Sequence, residues 1–264
     1  MTFISTVIAP TKFTVVVIKV KKLLTTSDYL ISNMVNPTLP DDLLSKIAKN
    51  LADQCWSDLG PLVRSGTRGR DIVYRPDVLK DANILTLCDS PDDFQAGGGH
   101  NPSGSADEGR HRTFFLRCFT ANNPTAVYYE GIRVLTHERN INGAIRLLQR
   151  HAPVRANATL ACAIVFICAG YDYMGGLFLQ LFTRNHYPLD SVATRVLGDE
   201  FIEEIKKFDP PYSNTYGPTF SYPTSHGISM PPCALYCYMV SGAFQNVCNR
   251  CYLWSCARRV SQML

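Results

Sequence analysis

The chain has 264 residues, a formal net charge of +4, and 46% hydrophobic and 18% charged residues. This is the composition of a globular protein able to bury the core of one large or two small domains. Its 26 basic and 22 acidic residues are interspersed, which excludes the concentrated basic stripe of a nucleic-acid-binding surface.

Phe3 to Val20 is apolar and β-branched but is broken by Pro10, Lys12 and Lys19. Its longest clean apolar run, Val15 to Ile18, falls far short of the ~20 residues a bilayer span needs. Neither a signal peptide nor a membrane anchor is expected, and residues 1–35 read as a poorly defined leader. Ten cysteines without a secretory signal are then expected to be reduced thiols, in the cytoplasm or nucleus.

The first predicted helix starts at Leu39-Pro40-Asp41-Asp42. Proline is pre-organised for the first helical position, and carboxylates there meet the positive end of the helix dipole. Leu43, Leu44, Ile47 and Leu51 follow at near-helical spacing, opposed by Lys46 and Lys49, which predicts an amphipathic stripe. A second short helix is capped by Ser57 or Asp58 and carries Leu59, Leu62 and Val63. A third stretch from about Val73 to Leu87 is started or kinked at Pro76. Residues 36–89 thus form a small three-helix unit, and the Gly-, Ser-, Asp- and Pro-rich residues 90–110 form a flexible linker.

From residue 111 an internal repeat begins. At an offset of 32 residues, Ala126 aligns with Ala158, Gly131 with Ala163, Ile132 with Ile164 and Leu135 with Ile167. The same offset pairs Gly143 with Gly175, Ala144 with Gly176, Ile145 with Leu177 and Leu147 with Leu179. Small residues at Ala126, Gly131 and Gly143 are expected to let helices approach closely. Such a period points to paired helices of tetratricopeptide-like or Sel-like type over residues 111–208. A helix after Ser191 is expected to cap the stack, burying Val192, Val196, Leu197, Phe201, Ile205 and Phe208 and leaving Glu203, Glu204, Lys206 and Lys207 outside.

Residues 209–264 read as an irregular segment. Asp209 to Pro232 holds six prolines with Tyr212, Tyr216, Phe220 and Tyr222, and is expected to run extended with its rings packed down. Cys248-Asn249-Arg250-Cys251 has the two-residue gap that lets two thiolates share a zinc ion, and Cys233 with Cys237 could supply the other pair. The other reading of these four is a set of buried thiols in an aromatic cluster with Trp254. No histidine spacing, phosphate loop, nucleophile elbow or cysteine–histidine signature speaks for catalysis, so the chain is not expected to be an enzyme. Asn157-Ala158-Thr159 matches a glycosylation acceptor only formally, since it falls inside a predicted helix.

Taken in order, these features resemble a plant family of F-box proteins with a tetratricopeptide-like or Sel-like helical region. The residues that carry the likeness are Leu39 to Ile47, Phe115-Leu116-Arg117-Cys118, Asn123-Pro124, Ala126, Tyr128-Tyr129-Glu130-Gly131 and Ile141 to Leu148. Pro231-Pro232-Cys233, Cys248-Asn249-Arg250-Cys251 and Leu253-Trp254 complete it. The sequence departs from the F-box pattern at Pro61 to Arg70, a glycine-rich basic run where an apolar helix is expected.

The resemblance implies an all-α protein that does no chemistry. Leu39, Pro40, Leu43, Leu44 and Ile47 would dock to the Skp adaptor of a cullin ubiquitin ligase, and the repeats would hold a protein substrate. A helical-repeat scaffold with a degenerate F-box is the alternative. A zinc- or thiol-dependent enzyme built on the C-terminal cysteines is a third reading.

Overall fold

The computed structural model describes residues 39–89, 111–211, 216, 233 and 249–264. Every regular element among them is helical, so the all-α class holds. No helix among the described residues is long and apolar enough to cross a membrane. The chain divides into two compact units, Met1–Asn83 and Ile84–Leu264. The 90–110 stretch read as a linker lies outside the described residues.

In the first unit, α1 spans Asp41–Gln54, with Pro40 at its N-cap and both aspartates in its first turn. Leu44, Ala48 and Ala52 recur every four residues and are buried, so the core-facing stripe is narrow and mostly small. A 3-10 turn (Trp56–Leu59) leads into α2 (Gly60–Arg64), α3 (Thr67–Val73) and α4 (Pro76–Leu79). Helix α1 packs on the 3-10 turn, α3 and α4.

The glycine-rich run that departs from the F-box pattern has a structural use. Gly66 adopts φ +120° at the corner between α2 and α3, a region costly for residues with a Cβ. Gly69 sits so close to α2 that a Cβ would meet the Leu62 carbonyl oxygen at 2.2 Å. From the same turn, Arg68 donates to Asp41 at 2.7 and 2.9 Å and to the Leu39 carbonyl. The run therefore makes a tight corner whose arginine ties down the start of α1.

The single stretch expected over Val73 to Leu87 is broken into three. Pro76 has no N–H to continue α3 and instead opens α4. Asn83 then closes α1: its N–H donates to Ala52 O at 2.7 Å, its carbonyl accepts from Trp56 N at 3.0 Å and its side-chain amide donates to Gln54 O. The last piece, α5 (Leu85–Cys88), belongs to the second unit.

The second unit continues with α6 (Arg112–Thr120), α7 (Pro124–His137), α8 (Ile141–Gln149), α9 (Ala156–Cys168), α10 (Asp172–Asn185), α11 (Val192–Lys207) and α12 (Asn249–Met263). Helices α7 and α9 start 32 residues apart, and each is followed after a short connection by its partner, α8 or α10. Asn123 caps α7 by accepting from Thr125 N and Ala126 N, and Asn140 caps α8 through Gly143 N. Helix α9 is buried on all sides from Ala158 to Cys168 and packs against α8, α10, α11 and α12. A helix apolar all round is stable only in such a central place.

The aligned repeat positions keep their burial on α7 and α9: Ala126, Ile132 and Leu135 are buried, as are Ala158, Ala163, Ile164 and Ile167. On the second helices they diverge, since Ile145 is buried but Leu177 is 39% exposed. The close approaches also differ. Gly131 packs against Leu148 and Gly175 against Ile167, whereas the nearest neighbour of Gly143 is its own cap, Asn140.

Two expectations for the C-terminal half are corrected. Residues 249–263 are helical rather than irregular, burying Cys251, Tyr252, Leu253, Cys256, Ala257 and Val260. Helix α12 covers α9 and α11, and this turns the buried face of α11. Gly198 lies under the Tyr252 ring, with no room for a Cβ, and the Tyr252 hydroxyl donates to Arg195 O. The buried residues of α11 are accordingly Thr194, Gly198, Phe201, Ile202 and Ile205, while Val192 and Val196 are exposed. Tyr216 is packed down as expected, its hydroxyl donating to Leu135 O at 2.6 Å. Tyr212, Phe220 and Tyr222 lie outside the described residues.

Candidate functional site

Three groups of residues compete as the site. The first is the head of α1. Pro40 is exposed and Leu43 is 44% exposed, with Leu39 and Ile47 half-buried beside them. Leu44 is only 4% exposed, so it packs into the core of its own unit, unlike the other four residues expected at a docking surface. Its neighbour Leu43 lies about 100° away around the helix, which is why one leucine faces in and the other out.

The second group is the C-terminal cysteines. Cys233 and Cys251 lie with their sulfurs 3.4 Å apart, Cys233 half-buried and Cys251 buried. Cys237 and Cys248 lie outside the described residues, and no group of three or more metal-ligating side chains occurs among the described ones. Elsewhere, burial pushes the thiols of Cys118, Cys162, Cys168 and Cys256 up to about 12. Such thiols are protonated at neutral pH and poor nucleophiles.

The third group was not singled out from the sequence. A cavity of about 570 Å³ opens between α5, α7, the start of α9 and α11. Its wall includes Glu204, whose carboxylate accepts from the Tyr128 hydroxyl at 2.5 Å and from the Tyr129 hydroxyl at 3.0 Å, one phenol on each oxygen. Burial raises the pKa of Glu204 above its ordinary value; the two phenol hydrogen bonds oppose this, and nearby Glu200 adds to it. Burial and the same carboxylate push both tyrosines up, so they remain donors. Tyr129 also stacks on Phe208 and meets Tyr128 edge to face, which fixes both rings.

A second carboxylate, buried where Glu204 is half-buried, has the opposite electrostatics. Glu130 receives a two-point contact from Arg112 and further hydrogen bonds from Arg133. Burial pushes its pKa up, but the bonds from Arg133 and Arg112 outweigh that and hold it below the ordinary value. Glu130 thus has cations of its own, while Glu204 has only neutral donors. Three described histidines also have ordinary structural partners: His137 meets Thr136, His151 meets Asn122, and His186 meets Thr159.

The sequence pattern puts Glu204, with Glu203, on the outer face of α11, away from the apolar stripe. The available signal was its register: it lies three residues after Phe201 and four before Phe208, on the edge of the apolar stripe. Only the packing of α7 beside α11 supplies its tyrosine partners. Compared with known proteins, the chain matches no family model, no curated protein and no solved structure.

Proposed function

We propose that the protein is an F-box-type recruiting subunit of a cullin ubiquitin ligase: the first unit docks to a Skp-type adaptor and the second holds a protein substrate. The observation that carries this reading is the exposed apolar edge at the head of α1. Leu43 stands out beside Pro40 and near Ile47, although the unit has a core of its own in Leu44, Ala48, Leu59, Val73 and Leu79. Pro40, Leu43 and Ile47 lie close together on this edge, and it is a contiguous apolar patch, not a lone leucine, that a partner covers. Such a subunit raises the effective concentration of a substrate beside the charged enzyme and needs no reactive residue of its own.

The burial of Leu44 favours a second reading, a helical-repeat scaffold whose first unit is only structural. Binding of a purified Skp adaptor to the whole chain separates the two. The first reading expects micromolar or tighter binding, lost in a folded Leu43→Asp, Ile47→Asp double variant. Absence of binding by the folded parent leaves the scaffold.

A further inference from the structure

Two thiols touch at the start of α12. Cys233 and Cys251 are 18 positions apart in sequence, and their sulfurs lie 3.4 Å apart in a hydrogen-bonding contact. A disulfide needs about 2.05 Å, so the sulfurs must close by only about 1.3 Å. Cys251 is 2% exposed and Cys233 is half-buried, so a small oxidant in solvent reaches Cys233 first and finds Cys251 directly behind it. Cys251 also stands at a sensitive place. It lies in the first turn of α12, and the next residue, Tyr252, covers Gly198 and donates to the Arg195 carbonyl. The far end of α12 is tied by the Leu264 carbonyl, which accepts from Tyr216 N at 3.3 Å. A bond at Cys251 therefore fixes the near end of the helix that covers α9 and α11.

We propose that Cys233 and Cys251 form a reversible dithiol–disulfide couple, oxidised by hydrogen peroxide, that locks the start of α12. The Cys233 thiolate attacks one peroxide oxygen; the O–O bond breaks, and the departing hydroxide takes up the thiol's proton as water. The sulfenic acid left on Cys233 is then attacked by the Cys251 sulfur. The S–S bond forms, the S–O bond breaks, and a second water leaves with the Cys251 proton. The two thiols together lose two electrons, and the peroxide gains them. A small dithiol reverses the bond by two exchange steps and is itself oxidised to a disulfide. Closing the loop takes conformational freedom from the unfolded chain, so the oxidised second unit is the more stable form. A shared zinc ion would need Cys237 and Cys248 as well; the disulfide needs only the two sulfurs in contact. The couple is independent of adaptor docking at α1.

The test starts from the reduced whole chain, treated with hydrogen peroxide, blocked with iodoacetamide and digested for mass spectrometry with fragmentation of linked peptides. A Cys233–Cys251 linkage that dithiothreitol removes is expected in the parent and in Cys237→Ser and Cys248→Ser variants. Cys233→Ser, at a half-buried position, should abolish it. Oxidation should raise the thermal unfolding midpoint of the parent by about 5–10 °C and leave Cys233→Ser unmoved. A linkage of Cys233 to a different cysteine, a sulfinic acid on Cys233 without linkage, or an unchanged midpoint once the linkage has formed overturns the inference. So does a stoichiometric zinc ion that shields both thiols from peroxide.

Discussion

The hydroxyl of Tyr128 donates a 2.5 Å hydrogen bond to the carboxylate of Glu204, joining α7 to α11 across 76 positions of sequence. Tyr128→Phe keeps the ring and removes only this donor. It is expected to cost about 0.5–1.5 kcal/mol, because the half-buried carboxylate then loses one of its two donors. Urea unfolding of the parent and the variant measures the difference. An unchanged midpoint would mean that water replaces the phenol.

Buried Glu130 and half-buried Glu204 give opposite pH dependences. The pKa of Glu204 is raised above its ordinary 4.5, so the folded state holds its proton more tightly than the unfolded one. Its contribution is complete below pH 4.5 and is lost as pH rises through the folded value. The pKa of Glu130 is lowered from 4.5, so its contribution is present above 4.5 and is lost as pH falls through the folded value. Glu204→Gln should flatten the decline of stability on the alkaline side of 4.5. Glu130→Gln should flatten the decline on the acid side while lowering stability at neutral pH. Thermal unfolding from pH 3 to 8 reads both.

Gly69 and Gly60 provide a matched pair. A Cβ on Gly69 meets the Leu62 carbonyl at 2.2 Å, and one on Gly60 meets nothing within 4 Å. Gly69→Ala is expected to destabilise the first unit by about 2 kcal/mol or more, as overpacking against backbone does. Gly60→Ala should be neutral or stabilising by about 0.4–1 kcal/mol. Equal effects would show that the corner between α2 and α3 opens easily.

Leu43 and Leu44 are neighbours with different expected roles. Leu44→Asp buries a charge in the small core of the first unit and should unfold it. Leu43→Asp should leave the circular dichroism spectrum and unfolding midpoint within about 0.5 kcal/mol of the parent, the usual range for a surface change. Loss of adaptor binding with Leu43→Asp alone supports the docking edge; retained binding moves the contact elsewhere.

Alkylation should sort the thiols. Cys118, Cys162, Cys168 and Cys256 are buried and pushed up to about 12, whereas Cys55 and Cys233 are half-buried. Brief iodoacetamide treatment of the native chain should label Cys55 and Cys233 ahead of those four, as read by peptide mass spectrometry. Denaturant should equalise them.

Much of the fold was legible in local pattern. Pro40 with Asp41 and Asp42 marked the start of α1, and the 32-residue offset between Ala126 and Ala158 marked two helix pairs. Ser191 was read as the start of the next helix, and it caps α11 through Thr194 N. These signals depend on backbone capping and on the spacing of apolar residues within a few turns, which each segment carries by itself.

What only the tertiary structure decided is which side of each helix faces inward. Leu43 and Leu44 are equally apolar in sequence, and the packing of α3 and α4 on α1 selects Leu44. Val192, Val196 and Phe201 all fit one stripe, but Tyr252 lying over Gly198 turns the first two outward. Glu203 and Glu204 are chemically identical, and the two tyrosines on α7 make one of them a half-buried acceptor. Helix period fixes the relative angles of side chains on one element; the absolute rotation is set by neighbours distant in sequence. The α1 edge and the cavity beside Glu204 both depend on that rotation.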